Sequence, residues 1–364
     1  MSSKKAMRKL LLDRKYEDLL EQLEKNKFNP KNLIEIAKKD SKWEIRKEAV
    51  RVLGKGEIKE SLDILVDILF NDHLTIMRKE AAQAIGAIGD EEGIDPLMKA
   101  FKTLKDPAIV GAIVQALGTL QAKDAVPLLI QKLKNSNDGE IREYIAEALG
   151  SIGDQQAVQP LVTLMKNDQE AWVRAQAAAS LGLLGEQSVV SELIETFEND
   201  NGINVTTRTA KALGRLKNPA AIDSLINRLE TETNDETRRA IVYALGEIGD
   251  KKTANVFLDL LENDEDETVR YWSCLSVGFM RLEKAIPTLL KVIQNDSSAR
   301  IRKTAVISLG QLIPRSKNVI EILQQARKKD EDVKVREKCK DTLELIAKKT
   351  NHKSIKALLQ EYDI

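Results

Sequence analysis

Glycine and apolar residues recur along the chain at a fixed interval of 32 residues. A period of about 20–50 residues is typical of solenoids, in which each repeat buries its apolar face against the next repeat. The pattern therefore predicts one continuous array of repeats rather than several separate globular domains. Nine glycines keep the interval without insertion, and they are Gly54, Gly86, Gly118, Gly150, Gly182, Gly214, Gly246, Gly278 and Gly310.

Apolar positions before each glycine have helical spacing. In one unit Leu62, Leu65, Val66 and Leu69 stand at i, i+3, i+4 and i+7, and each position stays apolar in the later units. Residues with this spacing form one stripe along a helix, so we expect all four positions to lie in the core. The second position reads Leu65, Leu97, Leu129, Leu161, Leu193, Leu225, Phe257 and Leu289.

A second helix follows in each unit and carries small residues on its inner side. In the clearest example, Ala177, Ala178 and Leu181 are expected to face the core. A glycine inside a helix costs about 1 kcal/mol relative to alanine, so we expect the recurring glycine to bring neighbouring helices close together. Other glycines precede an acidic residue and should end helices in a left-handed turn; these are Gly89, Gly153, Gly185 and Gly249.

The start of the second helix carries a spaced pair of an acid and an arginine. An Asp precedes an Arg by six residues, then Ala-Ala and Leu-Gly follow, and this pattern resembles HEAT-like repeats of the phycobilisome-lyase type. Two units keep the arginine, Arg142 and Arg238, with the acid shifted to Asp138 and Asp235. The regular pairs are Asp40 and Arg46, Asp72 and Arg78, Asp168 and Arg174, Asp264 and Arg270, Asp296 and Arg302, and Asp330 and Arg336.

The resemblance implies an all-α fold, a right-handed α-solenoid of about ten two-helix repeats over residues 29–348. It also implies that the Asp and Arg side chains form a ladder between adjacent repeats, and that the second helices line the concave face. Val110 and Thr206 stand where arginine is expected, so the ladder should be interrupted there.

The two ends of the chain depart from the repeat. We expect capping helices in residues 1–28 and a capping helix in residues 349–364, with Asn29 as the N-cap of a short helix that begins at Pro30. The interval between Arg302 and Arg336 is 34 residues, which indicates an insertion of two residues, placed around Pro314. Helices are then expected at about 317–328, 331–348 and 354–362.

Composition indicates a protein of a reducing compartment, and its balanced charge does not draw the whole molecule toward one class of partner. The 57 basic residues equal the 57 acidic residues, so attraction of the whole molecule to nucleic acid or to a membrane is not indicated. Cys274 and Cys339 have no ligand-like spacing. The apolar run at Leu10 is too short for a signal peptide or a membrane span, and we expect a cytoplasmic location.

Few residues can carry catalytic chemistry. The two histidines are His73 and His352, and neither lies in a His-Glu dipeptide of the kind that binds iron in the HEAT-like hydroxylases. No zinc spacing and no phosphate-binding loop occurs. We therefore expect no enzymatic activity, no metal and no cofactor.

One unit carries an unusual outer surface. With the Arg of each second helix numbered zero, positions +1, +2, +5 and +9 lie opposite the core, and in most units they are polar. In the unit of Arg270 they are all apolar, and the neighbouring units add apolar residues at +5. Such a patch either anchors a partner, with Trp272 as the central residue, or packs under a shifted C-terminal cap, or reflects a local rotation of the helix. Its members are Tyr243, Tyr271, Trp272, Leu275, Phe279 and Ile307.

A basic stripe lies in an earlier unit. Arg208, Lys211 and Arg215 occupy +2, +5 and +9 of the helix that has Thr206 at position zero. The stripe either holds an acidic segment of the same partner or is a solvated basic face.

Three functions are consistent with these features. The first is a non-catalytic scaffold that binds a protein or peptide on its concave face. The second is an accessory subunit or chaperone of an enzyme, such as a component of a phycobiliprotein lyase, which only the resemblance supports. The third, binding of nucleic acid, ranks last because the net charge is zero. No membrane partner is expected, and the sequence leaves the oligomeric state open.

Overall fold

The computed structural model describes residues 3–313 and 316–364, which form α-helices and short turns without a β-strand. They cluster into two compact units, one up to Leu184 and one from Gly185 onward. The all-α repeat fold predicted from the sequence is confirmed. The insertion placed around Pro314 lies outside the described residues.

The first unit begins with three N-terminal helices, α1 to α3, and continues with two-helix repeats. The side chain of Asn29 accepts a hydrogen bond from the backbone N–H of Lys31 at 2.9 Å, so the predicted N-cap is confirmed. The helices are α1 Ser3–Leu12, α2 Tyr16–Glu24, α3 Pro30–Lys39, α4 Trp43–Lys55, α5 Leu62–Asn71, α6 Thr75–Ile88, α7 Ile94–Thr103, α8 Pro107–Thr119, α9 Val126–Asn135, α10 Gly139–Ile152, α11 Val158–Asn167 and α12 Ala171–Leu184.

The second unit contains the remaining repeats and the C-terminal helices. The three helices expected near the C-terminus are present, with Ser354 as the N-cap of the last one. The helices are α13 Val190–Asn199, α14 Ile203–Leu216, α15 Ile222–Thr231, α16 Asp235–Ile248, α17 Ala254–Asn263, α18 Glu267–Phe279, α19 Ile286–Asn295, α20 Ala299–Leu312, α21 Lys317–Lys329, α22 Val333–Lys349 and α23 Ile355–Glu361.

A short 3₁₀ turn precedes the first helix of most repeats, and the apolar pattern did not predict it. The turns also keep the 32-residue interval, from Lys59–Ser61 to Glu283–Ala285. Three of them are capped by an aspartate that follows a glycine: Asp90, Asp154 and Asp250 each accept a hydrogen bond from the backbone N–H two residues later. The four glycines that precede an acid have φ between 68° and 75°, which confirms the predicted left-handed ends.

The core is built from three of the four apolar positions of the first helices. The column that contains Leu65 is fully buried throughout, and the column that contains Leu69 is buried as well. The column that contains Val66 was also expected in the core, but this is wrong for most members. Only Val162 and Leu290 are buried there, because this position lies at the edge of the apolar stripe. The half-buried members are Val66, Met98, Ile130, Ile194, Ile226 and Leu258.

The recurring glycines set the distance between neighbouring second helices, as predicted. A Cβ atom placed on Gly54, Gly86 or Gly214 would lie 2.7 Å from the Cα atom of an alanine on the next second helix. Real Cβ atoms do not approach other atoms so closely. Small residues therefore meet in pairs at each of these contacts, which is the close-packed arrangement that interiors require.

The expected ladder of acids and arginines is present within both units. Arg142 binds Asp168 at 2.6 and 2.9 Å, and Arg302 binds Asp330 at 2.9 Å through both nitrogens. Paired N–H donors on one carboxylate are among the strongest hydrogen bonds in proteins. The same pairing joins Arg238 to Asp264, and Arg270 to Asp296.

The ladder is interrupted at Thr206, as expected. The Thr206 hydroxyl donates to the carbonyl of Gly202 at 3.1 Å and so stays within its own helix. The acid at the ladder position of the next repeat, Glu232, is bound by Arg228 at 3.0 Å instead. The ladder has one additional pair near the N-terminus, where Arg8 of α1 binds Asp40 at 2.7 Å.

Candidate protein-interaction surface

The apolar residues singled out from the sequence lie on α16, α18 and α20 of the second unit. The start of α18 is held by Asp266, which accepts hydrogen bonds from the backbone N–H groups of Thr268 and Val269 at 2.8 and 2.9 Å. Arg239 of α16 binds the same carboxylate and holds the pKa of Asp266 below its usual value, although burial opposes this. The N-cap and the ion pair together fix the helix that carries the patch.

Three aromatic rings of the patch form one cluster. The Trp272 ring meets Tyr243 edge-on at a centroid distance of 5.0 Å and Tyr271 at 5.5 Å, and such edge-to-face pairs are favourable. The guanidinium of Arg300 lies 3.9 Å from the Tyr271 ring centre. Because Trp272 sits between the two tyrosines, it is half-buried rather than fully exposed.

Phe279 is the most exposed member of the patch. Its side chain is 68% exposed, while Leu275 and Ile307 are half-buried. Phe279 and Ile307 line a groove of about 600 Å³ that also has walls from α20 and α22. The structure thus brings two of the six predicted residues to this groove and three others to the ring cluster.

The groove contains residues that the sequence analysis did not single out. Ile313 and Leu345 add apolar surface, and Gln311, Lys338 and Asp341 add polar groups. Gln311 and Leu345 stand at +9 from Arg302 and Arg336, the same repeat position as Phe279. The repeat position that contains Phe279 therefore also contains Gln311 and Leu345, provided that positions in the last repeat are counted from Arg336.

The basic stripe lies on α14 and is exposed at all three residues. Lys211 is 3.9 Å from Glu236 of the next second helix. None of the residues that line the groove comes from this stripe. The structure therefore places the stripe and the groove at different helices of the second unit.

The two cysteines and His352 are buried or bonded in ways that do not suit catalysis. Burial raises the pKa of Cys274 and that of Cys339 to about 12, so neither is a reactive thiolate near neutral pH. His352 lies 2.8 Å from the Thr350 hydroxyl and also contacts Glu361. The hydroxyl donates to the Ile346 carbonyl at 2.8 Å, so this set links α22 to α23 and does not activate a nucleophile.

The described part of the chain holds neither a cluster of metal ligands nor a helix able to cross a membrane. Between residues 3 and 313 and from 316 onward, no cluster of three or more His, Cys, Asp or Glu side chains is arranged to hold a metal ion. None of the helices in those segments has the length and apolar character that a membrane crossing requires.

The family model for HEAT repeats matches the chain in five overlapping segments. They are residues 30–117, 94–182, 164–246, 222–310 and 254–344, which together span most of the sequence. The chain belongs to the HEAT repeat family. The resemblance seen in the sequence is thereby confirmed, and the molecule is a HEAT-repeat protein. No curated protein matches the HEAT-repeat chain in sequence.

Solved structures of similar fold share little sequence with this HEAT-repeat protein. Importin beta is 15% identical with a TM-score of 0.68, over 92% of this chain and 53% of its own. Kap95p, described with RanGDP, is 13% identical with a TM-score of 0.61, over 92% and 52%. The chain thus spans about half the length of these two proteins. The CpcE–CpcF complex of phycocyanin lyase from Nostoc sp. PCC7120 is 21% identical with a TM-score of 0.42, over 60% and 94%.

Proposed function

We propose that the protein is a non-catalytic scaffold that binds a protein or peptide partner on the face of its second helices. The observation that carries this proposal is Phe279, an aromatic side chain that is 68% exposed beside a cluster of three rings and a groove. Large exposed apolar groups that lie together mark interaction sites. Kap95p, whose fold is similar, binds RanGDP.

The ring cluster and Phe279 have different roles in this proposal. Trp272 is held on two sides by Tyr243 and Tyr271, so it forms a rigid platform with little side-chain entropy left to lose. Phe279 lies outside that cluster and offers the largest apolar surface. Phe279 therefore replaces Trp272 as the expected central anchor, and aromatic anchors of this kind contribute most to binding.

A capture experiment tests the proposal. Tagged wild-type protein and a Trp272→Ala, Phe279→Ala double variant are used as baits in a lysate of the source organism, and bound proteins are quantified. Leu183→Ala is the matched control, because Leu183 is 53% exposed and occupies the same +9 position in another repeat. We expect at least one protein that wild type and control retain and the double variant loses. Equal recovery by all three baits contradicts the proposal.

The basic stripe extends the proposed surface. Arg208, Lys211 and Arg215 point exposed cationic groups outward from α14, and we propose that they bind an acidic segment of the same partner. Lys211→Glu with Arg215→Glu should then weaken capture of that protein, most strongly at low salt, because exposed charges are screened as ionic strength rises. Unchanged capture at low salt would show that the stripe is only a solvated face.

A further inference from the structure

The groove beside Phe279 lies where the contact between a recurring glycine and the next second helix is looser than in the first repeats. At Gly54 and Gly86 the nearest atom to an added Cβ is the Cα atom of an alanine, 2.7 Å away. At Gly310 the three nearest atoms all belong to the side chain of Thr342, and the first is 3.3 Å away. The wider contact occurs in the part of the chain where the period changes, since Arg302 and Arg336 are separated by 34 residues instead of 32.

The surface of this groove is mainly apolar. Phe279 and Leu345 are 68% and 39% exposed, and Ile307 and Ile313 lie beside them in the groove. A volume of about 600 Å³ is in the range of sites that hold a ligand the size of several side chains. An occupant must therefore present bulky apolar groups.

The rim of the groove carries a positive charge. Arg281, Lys338 and Lys349 line it together with one acid, Asp341, so three cations and one anion give a net charge of two. Lys338 and Asp341 form an ion pair at 3.0 Å. A positive rim favours a partner with carboxylates and disfavours one with lysine or arginine, since charge at the rim sets the choice of partner.

Gln311 provides a hydrogen-bonding group at the same place. Its Oε1 atom is buried without a hydrogen-bond partner, lying where a Cβ on Gly278 would be only 2.6 Å away. A buried acceptor without a partner is unfavourable. Rotation of the amide toward the groove would let it accept a hydrogen bond from a backbone N–H of an occupant, which favours a peptide over an occupant without such donors.

We propose that this groove binds a short linear peptide segment of a partner, in which bulky apolar side chains are flanked by carboxylates. Nucleic acid fits less well, because the floor is aliphatic apart from Phe279 and the rim holds an acid. The inference rests on the proposed scaffold function and deepens it, since it specifies the chemical class of the bound segment.

Selection from a random library of 12-residue peptides displayed on phage tests this proposal. The full chain is immobilised, and enriched peptides are synthesised with a fluorophore for anisotropy titration. We expect enriched peptides to carry at least two bulky apolar residues and a net negative charge. Their Kd should rise at least tenfold with Phe279→Ala and severalfold with Lys338→Glu, and it should stay unchanged with Leu183→Ala.

Gln311→Leu supplies a second variant that distinguishes binding from folding. It removes the acceptor that lacks a partner, so its Tm should equal or exceed that of wild type while the peptide Kd increases. Circular dichroism of every variant verifies that the helices are intact. If no enriched peptide depends on Phe279, or if enriched peptides are basic, the proposed peptide class is wrong. A protein captured through Phe279 in the lysate experiment would then leave the scaffold function standing.

Discussion

At the scale of single residues, the spacing of the second helices depends on one glycine per repeat. Most of these glycines face an alanine or a serine of the next second helix, as in the contacts of Gly86 with Ala116 and of Gly150 with Ser180. Thr342 is the largest residue in this series and faces Gly310 where the groove opens. An added Cβ would lie 3.3 Å from Thr342 at Gly310, farther than the 2.7 Å from Ala116 at Gly86.

Replacement of Gly86 by alanine should destabilise the protein. The new methyl group would lie 2.7 Å from the Cα atom of Ala116, and overpacking of this kind costs about 1–3 kcal/mol. The gain in helix propensity of about 1 kcal/mol offsets only part of this cost. The midpoint of urea unfolding should fall. Gly139→Ala is the control, because its nearest atoms are 3.4 Å away, and it should leave the midpoint unchanged or raise it.

The ladder pair of Arg302 and Asp330 should make stability depend on pH. Burial acts to raise the pKa of Asp330, but hydrogen bonds from Arg302 and the backbone N–H of Asp332 outweigh it and hold the pKa below its usual value. A depressed pKa in the folded state contributes stability above the unfolded pKa of about 4, and this contribution is lost as pH falls through the folded pKa.

Asp330→Asn tests this dependence. At pH 7 the variant should be less stable by about 2 kcal/mol, the value of a hydrogen bond to a charged group. The difference in Tm from wild type should shrink as pH falls below about 4. Glu331→Gln is the control, since Glu331 also contacts Arg302 but its side chain is 82% exposed. A constant difference between pH 7 and about pH 3 would count against the ladder as the cause.

At the scale of the element, α18 is the helix whose position decides the proposed surface. Its N-terminus is capped by Asp266 and tied to α16 through Arg239, while its C-terminus presents Phe279 to the groove. The cap and the exposed ring are therefore linked through one rigid helix of 13 residues.

Asp266→Ala should weaken this helix by about 1–2 kcal/mol, because it removes the N-cap and the partially exposed pair with Arg239. Asp266→Asn keeps a side-chain acceptor for the cap and should lose less. Urea unfolding of the two variants measures the difference. If both variants lose the same stability, the ion pair and not the cap holds the helix.

The elements were predicted well because the repeat fixes them several times over. The start of α3 and the bounds of α21 and α23 agree with the sequence to within one residue, since caps, prolines and apolar spacing point to the same ends. The exposure of Trp272 was predicted less well. Helical periodicity predicts the direction in which a side chain points. It does not predict that Tyr243 and Tyr271 pack against the Trp272 ring and partly bury it. The groove was missed for a similar reason, because its walls come from helices on both sides of a break in the period.

At the scale of the whole molecule, repeats stabilise each other through nearest neighbours only. Within the second unit, α18 contacts α16, α17 and α20, whereas α22 contacts α20, α21 and the short α23. The two cysteines lie on these two helices and are fully buried. The reactivity of Cys274 therefore measures unfolding in the middle of the unit, and that of Cys339 measures unfolding near its C-terminal end.

Thiol labelling at pH 8 should be negligible in the native protein, since burial raises the pKa of both cysteines to about 12. In rising urea Cys339 should become reactive before Cys274, because one of the three helices that pack on α22 is the short α23 of seven residues. Labelling of the single-cysteine variants Cys274→Ala and Cys339→Ala measures each site alone. Coincident labelling midpoints would show that the unit unfolds as one cooperative block.

The pairing of glycine with alanine has a consequence for the gene. Gly86 meets Ala116, and Gly118 meets Ala148 in the same way, so the two junctions are chemically interchangeable. Loss of residues 91–122 would join Gly86 to Ala148 and recreate a junction of the same composition. Recombination between coding segments offset by 32 codons can thus lengthen or shorten the protein without creating a new kind of interface.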